Sequence, residues 1–172
     1  MNRRTILTDR LIFQPISWAD RDRMAVLHAD ARVMNLLKHG VLSRAQSDAM
    51  VADYEAEWSS FGFGSWTVTE RAGDRMVGYG GLRMHDGGFG IALRAAFTPE
   101  AQGKGYGPEL GRTAAAYAFD VAKVDRVIAI TRQTNLPGQR SLEKFGMRRE
   151  REWTTDDGRP LVLYALANPR AG

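Results

Sequence analysis

At 172 residues the chain is long enough to bury a substantial core as one domain, and it contains no cysteine, which excludes a disulfide framework, thiol nucleophiles and thiolate metal sites. The formal net charge is +4, from 24 Lys and Arg against 20 Asp and Glu; that balance suits anionic ligands, and the scatter of the basic residues argues against a nucleic-acid surface. The segment Met1–Arg10 carries charges throughout and no apolar run is long enough to cross a bilayer, so the expectation is a cytoplasmic protein with no membrane and no nucleic-acid partner.

In chain order, Arg10 to Gln14 alternates as a strand stopped by Pro15. Ser17 with Asp20 three residues on opens a helix to about His28, and a short helical turn, Val33 to Leu37, ends at Gly40. Ser43 with Gln46 repeats the capping spacing before a helix over Ala45 to Trp58, whose Met50, Tyr54 and Trp58 share a stripe of the kind that usually faces a core. After Gly62 and Gly64 the period changes to that of strands: Ser65 to Glu70 with Trp66 and Val68 inward, Met76 to Arg83, and Phe89 to Phe97, joined by turns at Ala72-Gly73-Asp74 and Asp86-Gly87-Gly88. The middle of the chain therefore reads as an antiparallel meander.

A glycine-rich stretch follows, Ala101 to Gly111, with Gly103, Gly105 and Gly107 at alternate positions. Such a turn leading into a helix can hold an anion, because its backbone N–H groups converge and the helix dipole is positive there. The next helix is expected over Glu109 to Ala122, and the β-branched run Arg126 to Arg132 reads as a buried strand, completing a strand, turn, helix, strand crossover. Asn135 and Pro137 start a short helix ended by Gly146, and Met147 to Trp153 with Pro160 to Leu166 close the chain as a hairpin. The glycine stretch is not a P-loop, since Gly105 follows Lys104, nor a Rossmann fingerprint, since Pro108 takes the place of the last glycine. His28 and His39 are too far apart in pattern for a metal pair, so no metal is expected.

The order of these elements, with Thr8-Asp9-Arg10-Leu11, Met76-Val77-Gly78-Tyr79-Gly80-Gly81-Leu82, the run Gln102 to Gly107, and Glu143-Lys144-Phe145-Gly146-Met147, resembles the GNAT superfamily of acyl-CoA N-acyltransferases. The likeness is to the branch that includes the ribosomal-protein alanine N-acetyltransferases, and it spans nearly the whole chain. It implies an α/β (α+β) fold: residues 1–172 as one domain with a single mixed, mostly antiparallel twisted sheet flanked by helices, and a splayed strand pair that binds coenzyme A. It implies transfer of an acetyl or short acyl group from acetyl-CoA to a primary amine, on a small molecule or a protein N-terminus, by direct attack in a ternary complex. Gln102, Gly103, Lys104, Gly105, Tyr106 and Gly107 would hold the pyrophosphate of coenzyme A. Ala95, Ala96 and Phe97 would bond its pantetheine arm like an added strand, a backbone N–H there would polarise the thioester, and Asn135 would contact the arm or the substrate. A homodimer is compatible with the resemblance.

Two positions depart from the family pattern. A Ser commonly follows the Asn by three residues as the acid for the departing thiolate, or a Tyr four residues further on; here they are Gly138 and Leu142. The Glu of the strand before the loop is replaced in a stretch holding Ala92, Arg94 and Ala95. Ser141 is the nearest hydroxyl, roughly 60 to 80 degrees around an ideal helix from either position, so Asn135 and Ser141 are the catalytic candidates, with His85 and Asp86 as alternatives for a base. Trp58, Trp66 and His85 are candidates to line the acceptor cleft. The missing acid and base keep open a second reading, a non-catalytic acyl-CoA sensor or degenerate subunit.

Overall fold

The computed structural model describes residues 4–35 and 37–171. Eight strands form one sheet: β1 (Ile6–Leu7), β2 (Leu11–Pro15), β3 (Ser65–Glu70), β4 (Arg75–Met84), β5 (Ile91–Phe97), β6 (Arg126–Arg132), β7 (Arg148–Thr154) and β8 (Pro160–Ala167). Their spatial order is β1-β2-β3-β4-β5-β6-β8-β7. Pairing of β5 with β6 is parallel, while β1–β2, β2–β3, β3–β4, β6–β8 and β7–β8 are antiparallel. The sheet is thus mixed and mostly antiparallel, with β8 beside β6 and β7 outermost. Five helices accompany it: α1 (Arg21–Ala29), α2 (Ala31–Met34), α3 (Arg44–Phe61), α4 (Tyr106–Asp120) and α5 (Leu136–Lys144).

The chain falls into two compact units, residues up to Gly81 with Ala95–Lys104, and Leu82–Arg94 with Gly105 onward. In the first, Ile16, Met24, Leu27, Val33, Met34, Val51, Tyr54, Tyr79 and Ala96 form one apolar cluster. The Ser43 hydroxyl accepts from the Gln46 N–H, and the Gln46 side chain accepts from the Ser43 N–H in return. This satisfies two donors at the start of α3 that the helix itself leaves open. In the second unit Ala92, Ile128, Leu163 and Ala165 pack together. Behind α5 the buried Tyr164 hydroxyl donates to Gln139 Oε1 (3.2 Å) or to Glu143 Oε1 (2.9 Å).

Two local expectations are corrected. The first strand is not the one expected over Arg10 to Gln14 but the two-residue β1, paired as Ile6↔Phe13 and Leu7↔Ile12, which is too short to show a period. Helix α4 begins at Tyr106 rather than Glu109, because Gly107 and Pro108 look like a turn in sequence yet proline is tolerated in the first turn of a helix, where N–H groups have no intrahelical partner anyway.

Candidate functional site

The chain leaves β5 through Thr98 and a 3-10 turn, Pro99–Ala101, anchored by buried Ala101. Gly103 (φ 77°) and Gly105 (φ 80°) then take left-handed backbone angles, conformations in which a Cβ would be strained. Gly105 is the N-cap of α4, and its carbonyl accepts the Glu109 N–H at 3.3 Å. The Tyr106 and Gly107 amides lie in the first helical turn, where the helix supplies no acceptor and its dipole is positive; Pro108 carries no N–H. The early helix start therefore puts the end of the glycine run at the anion-attracting end of a fifteen-residue helix. Tyr106 itself is buried.

The first half of the loop is tied to the sheet edge of its own unit. Arg10 donates from Nη1 to the Lys104 carbonyl at 2.8 Å. Lys104 Nζ lies 3.1 Å from Glu70 Oε1, and Arg75 Nη2 lies 3.1 Å from Glu70 Oε2. The lysine at the loop is thus held by a carboxylate at the end of β3. Arg10 is a site residue that sequence reasoning passed over: it stands in the Thr8–Leu11 signature, but its partner is 94 positions away.

At the end of β5 the backbone decides what can bind. Thr98 donates its N–H to Val77 O at 2.9 Å, and a Cβ built on Gly78 would stand 2.3 Å from Ala96 O. Ala96 and Thr98 therefore turn their polar groups toward β4, and since strand backbone groups alternate sides, the N–H and C=O of Ala95 and Phe97 point away from it. Only glycine at position 78 permits so close an approach. The ladder from β5 to β6 is the single pair Ala92↔Ile128.

In the second unit Asn135 caps α5. Its Oδ1 accepts the Gly138 N–H at 3.1 Å, and its Nδ2 donates to Thr131 Oγ1 at 2.9 Å. A Cβ on Gly138 would meet Asn135 Nδ2 at 2.3 Å, so the glycine and the cap require one another. The Ser141 Oγ lies 2.6 Å from where a Cβ on Gly107 would stand, which sets its hydroxyl over the first turn of α4. His85 accepts the Gly87 N–H on Nδ1 at 3.0 Å and packs edge-on against Phe89, with ring centroids 5.3 Å apart. That bond serves the turn, and Asp86 in the same turn is exposed.

Trp58 and Trp66, expected to line an acceptor cleft, are instead buried at 3% and 0% exposure. They pack edge to face with centroids 5.1 Å apart, and their Nε1–H groups donate to Ser65 O (2.7 Å) and Arg4 O (2.9 Å). Their surface and polar handles are consumed by the interior. Among the described residues no cluster of three or more His, Cys, Asp or Glu could hold a metal, and no helix is long and apolar enough to cross a membrane.

Comparison with known proteins bears on this geometry. A family model described as an acetyltransferase (GNAT) domain matches residues 10–148. The uncharacterized N-acetyltransferase YnaD of Bacillus subtilis is 26% identical over 145 residues, 84% of this chain and 83% of that protein. A GNAT-family acetyltransferase structure from Bordetella pertussis superposes with a TM-score of 0.83 at 23% identity, covering 96% of this chain and 100% of the other. The structure of AAC(6′)-Ib in complex with paromomycin and acetyl-CoA superposes with a TM-score of 0.78 at 16% identity, covering 93% and 94%. At these identities the two structures speak for the fold.

Proposed function

The chain belongs to the acetyltransferase (GNAT) family, and from that premise we propose that it transfers an acetyl or other short acyl group from coenzyme A to a primary amine by direct attack in a ternary complex. The whole chain works in this reading as one catalytic domain, in the cytoplasm, where acyl-coenzyme A is supplied. The diphosphate of the donor rests on the backbone amides between Gln102 and Gly107, and Lys104 adds a cation. The pantetheine arm runs along the edge of β5 presented by Ala95 and Phe97, taking main-chain hydrogen bonds as an added strand would. One N–H of that edge faces the thioester carbonyl and stabilises the charge that develops on its oxygen, a contribution worth about 10²- to 10³-fold in rate.

Proton transfer is the weak part of the machinery. Asn135 has no ionisable proton near neutrality, and both ends of its amide are engaged in the cap; its role is to fix the start of α5. Ser141 reaches the first turn of α4 and is assigned to the coenzyme rather than to the amine. Water carries the protons, so the enzyme lacks an acid–base contribution of about 10²- to 10⁴-fold. The acceptor is a small-molecule amine or a protein N-terminus.

The observation that carries this reading is the left-handed glycine turn, Gly103 and Gly105, that runs into the N-cap of α4. Titration calorimetry with acetyl-CoA, followed by thiol release with a panel of amines, tests it: binding and amine-dependent thiol release support it, and a folded sample that gives no heat with the cofactor refutes it. One observation favours the rival reading of an acyl-CoA sensor, the Asn135 side chain filling the place of a side chain at position 138. A sensor binds the cofactor and releases no thiol with any amine.

A further inference from the structure

Strand β7 of the second unit carries Arg148, Arg149 and Arg151, and its ladder to β8 treats the last two differently. Arg149 lies opposite Tyr164 and Arg151 opposite Leu163, so Glu150 is an extra residue in β7, a bulge. In an unbroken strand Arg149 and Arg151 would share one face; here the shift turns Arg151 to the other. Tyr164 reaches α5 through Gln139 and Glu143. Leu163 points the opposite way and packs with Ala92, Ile128 and Ala165, against which Trp153 also lies. Arg151 therefore stands on the face of this unit's sheet that is turned away from α5, and the bulge is what puts it there.

Its surroundings there are aromatic. The Arg151 guanidinium lies 5.4 Å from the Trp153 ring centroid and 5.9 Å from that of Phe89, and the two rings are 5.9 Å apart. Phe89, from the turn before β5, and Arg151 are both exposed. The acids beside Arg151 in β7 are engaged by other cations, Glu150 by Arg126 and Glu152 by Arg149. Among the described residues Arg151 itself has no ion-pair partner. Rings beneath a guanidinium restrict its rotamers, while the N–H groups at its edge stay available. One such fork suits a planar, singly charged carboxylate; a nucleic-acid backbone calls for a groove of cations, and Arg126 and Arg149 are neutralised by their acids. An exposed cation on a ring adds little to stability, so a bulge that creates the contact is better explained by a ligand than by folding. The register Trp153↔Leu161↔Arg132 sets the cluster level with the last residue of β6, at the carboxyl end of a strand from the parallel pair, the end at which open sheets bind ligands.

We propose that Arg151, laid over Phe89 and Trp153, binds a carboxylate of the acceptor, so that the amine acetylated is one that also carries a free carboxylate. The inference rests on the transfer reading above and names its substrate class. Thiol release from acetyl-CoA with the L-amino acids other than cysteine, each against its α-amide, tests it in the wild type, Arg151→Gln and Arg151→Lys, all checked for folding by circular dichroism. Rates are taken per unprotonated amine, since acid and amide differ in basicity; that difference cancels between variants. The expected result is a wild-type kcat/KM about ten- to a hundredfold higher for the free acid, carried by KM. Arg151→Gln should abolish the advantage through KM, with kcat and the values for the amide unchanged, and Arg151→Lys should retain part of it. Equal wild-type values for acid and amide overturn the inference and leave transfer intact. So does an advantage that survives in Arg151→Gln, or a loss there that is the same for acid and amide, which would make Arg151 a structural residue. A folded protein that binds acetyl-CoA and releases thiol with no amine overturns the transfer reading, and this inference with it.

Discussion

His28 gives a sharp test of how the first unit is held together. It lies on α1 at 0% exposure, with Nδ1 2.8 Å from Ser47 Oγ of α3 and its ring edge-on to Tyr79 of β4 at 5.2 Å between centroids. Nε2 is buried without a hydrogen-bond partner among the described residues, so neither tautomer satisfies both nitrogens and a protonated ring would bury an unpaired donor. Burial lowers the imidazole from 6.5 to about 4. A base whose folded value is depressed leaves stability intact above its unfolded value. Stability is then lost as pH falls through 6.5, and the loss is complete only below 4. Linkage puts the loss at about 2 kcal/mol by pH 5 and about 3 kcal/mol by pH 4, a large part of a typical domain's stability.

Urea unfolding followed by tryptophan fluorescence at pH 7.5, 5 and 4, on the wild type and on His28→Gln, isolates the term. The variant starts less stable because a packed ring is gone, yet its stability should fall with acid by that much less than the wild type's. Other acid-sensitive groups cancel in the comparison. Hydrogen bonds from Arg44 to Asp22 and from Arg32 to Asp30, and from Thr155 and then Arg159 to Asp157, lower these carboxyls; their contribution is lost below the usual carboxylate range in both proteins alike. Parallel pH profiles for the two proteins between 7.5 and 4 would refute the reasoning and mean that the ring is protonated, or already solvated, in the folded state.

Two further outcomes follow from close approaches. Gly78→Ala brings a methyl to 2.3 Å from the Ala96 carbonyl, which must force β4 and the end of β5 apart; stability should drop by about 1 to 3 kcal/mol, and the KM for acetyl-CoA should rise more than that for the amine, measured by thermal melting and thiol release. Gly138→Ser restores the family's side chain but collides with Asn135 Nδ2, so the α5 cap should be vacated at about 1 kcal/mol, read by urea denaturation. An unchanged stability would show that Asn135 can turn aside without cost.

What the sequence could and could not disclose follows from range. Ser65–Glu70 and Arg126–Arg132 appear with the expected bounds because alternation and β-branching are properties of the strand itself. The capping pair Ser43–Gln46 is equally local. The contacts that shape the loop are not: Arg10 with Lys104, Glu70 between Lys104 and Arg75, and Gly78 against Ala96 each join positions whose proximity depends on strand register. Trp58 and Trp66 show the same limit from the other side. Their helical stripe and strand alternation mark an inward face, but an inward face can border a core or a cleft, and only packing distinguishes them.

The departure at Gly138 gains a physical meaning from the cap. A side chain at 138 and the observed Asn135 rotamer cannot coexist, so the loss of the hydroxyl and the folding of the amide onto the Gly138 N–H are one structural choice. That choice leaves the proposed chemistry with main-chain groups, the amides of Tyr106 and Gly107 for the diphosphate and the outward groups of Ala95 and Phe97 for the arm. Main-chain donors do not titrate and are fixed by the sheet and helix that carry them. An enzyme built this way should owe its rate to orientation and oxyanion stabilisation rather than to proton transfer. Its rate should then depend on pH chiefly through the fraction of acceptor amine that is unprotonated.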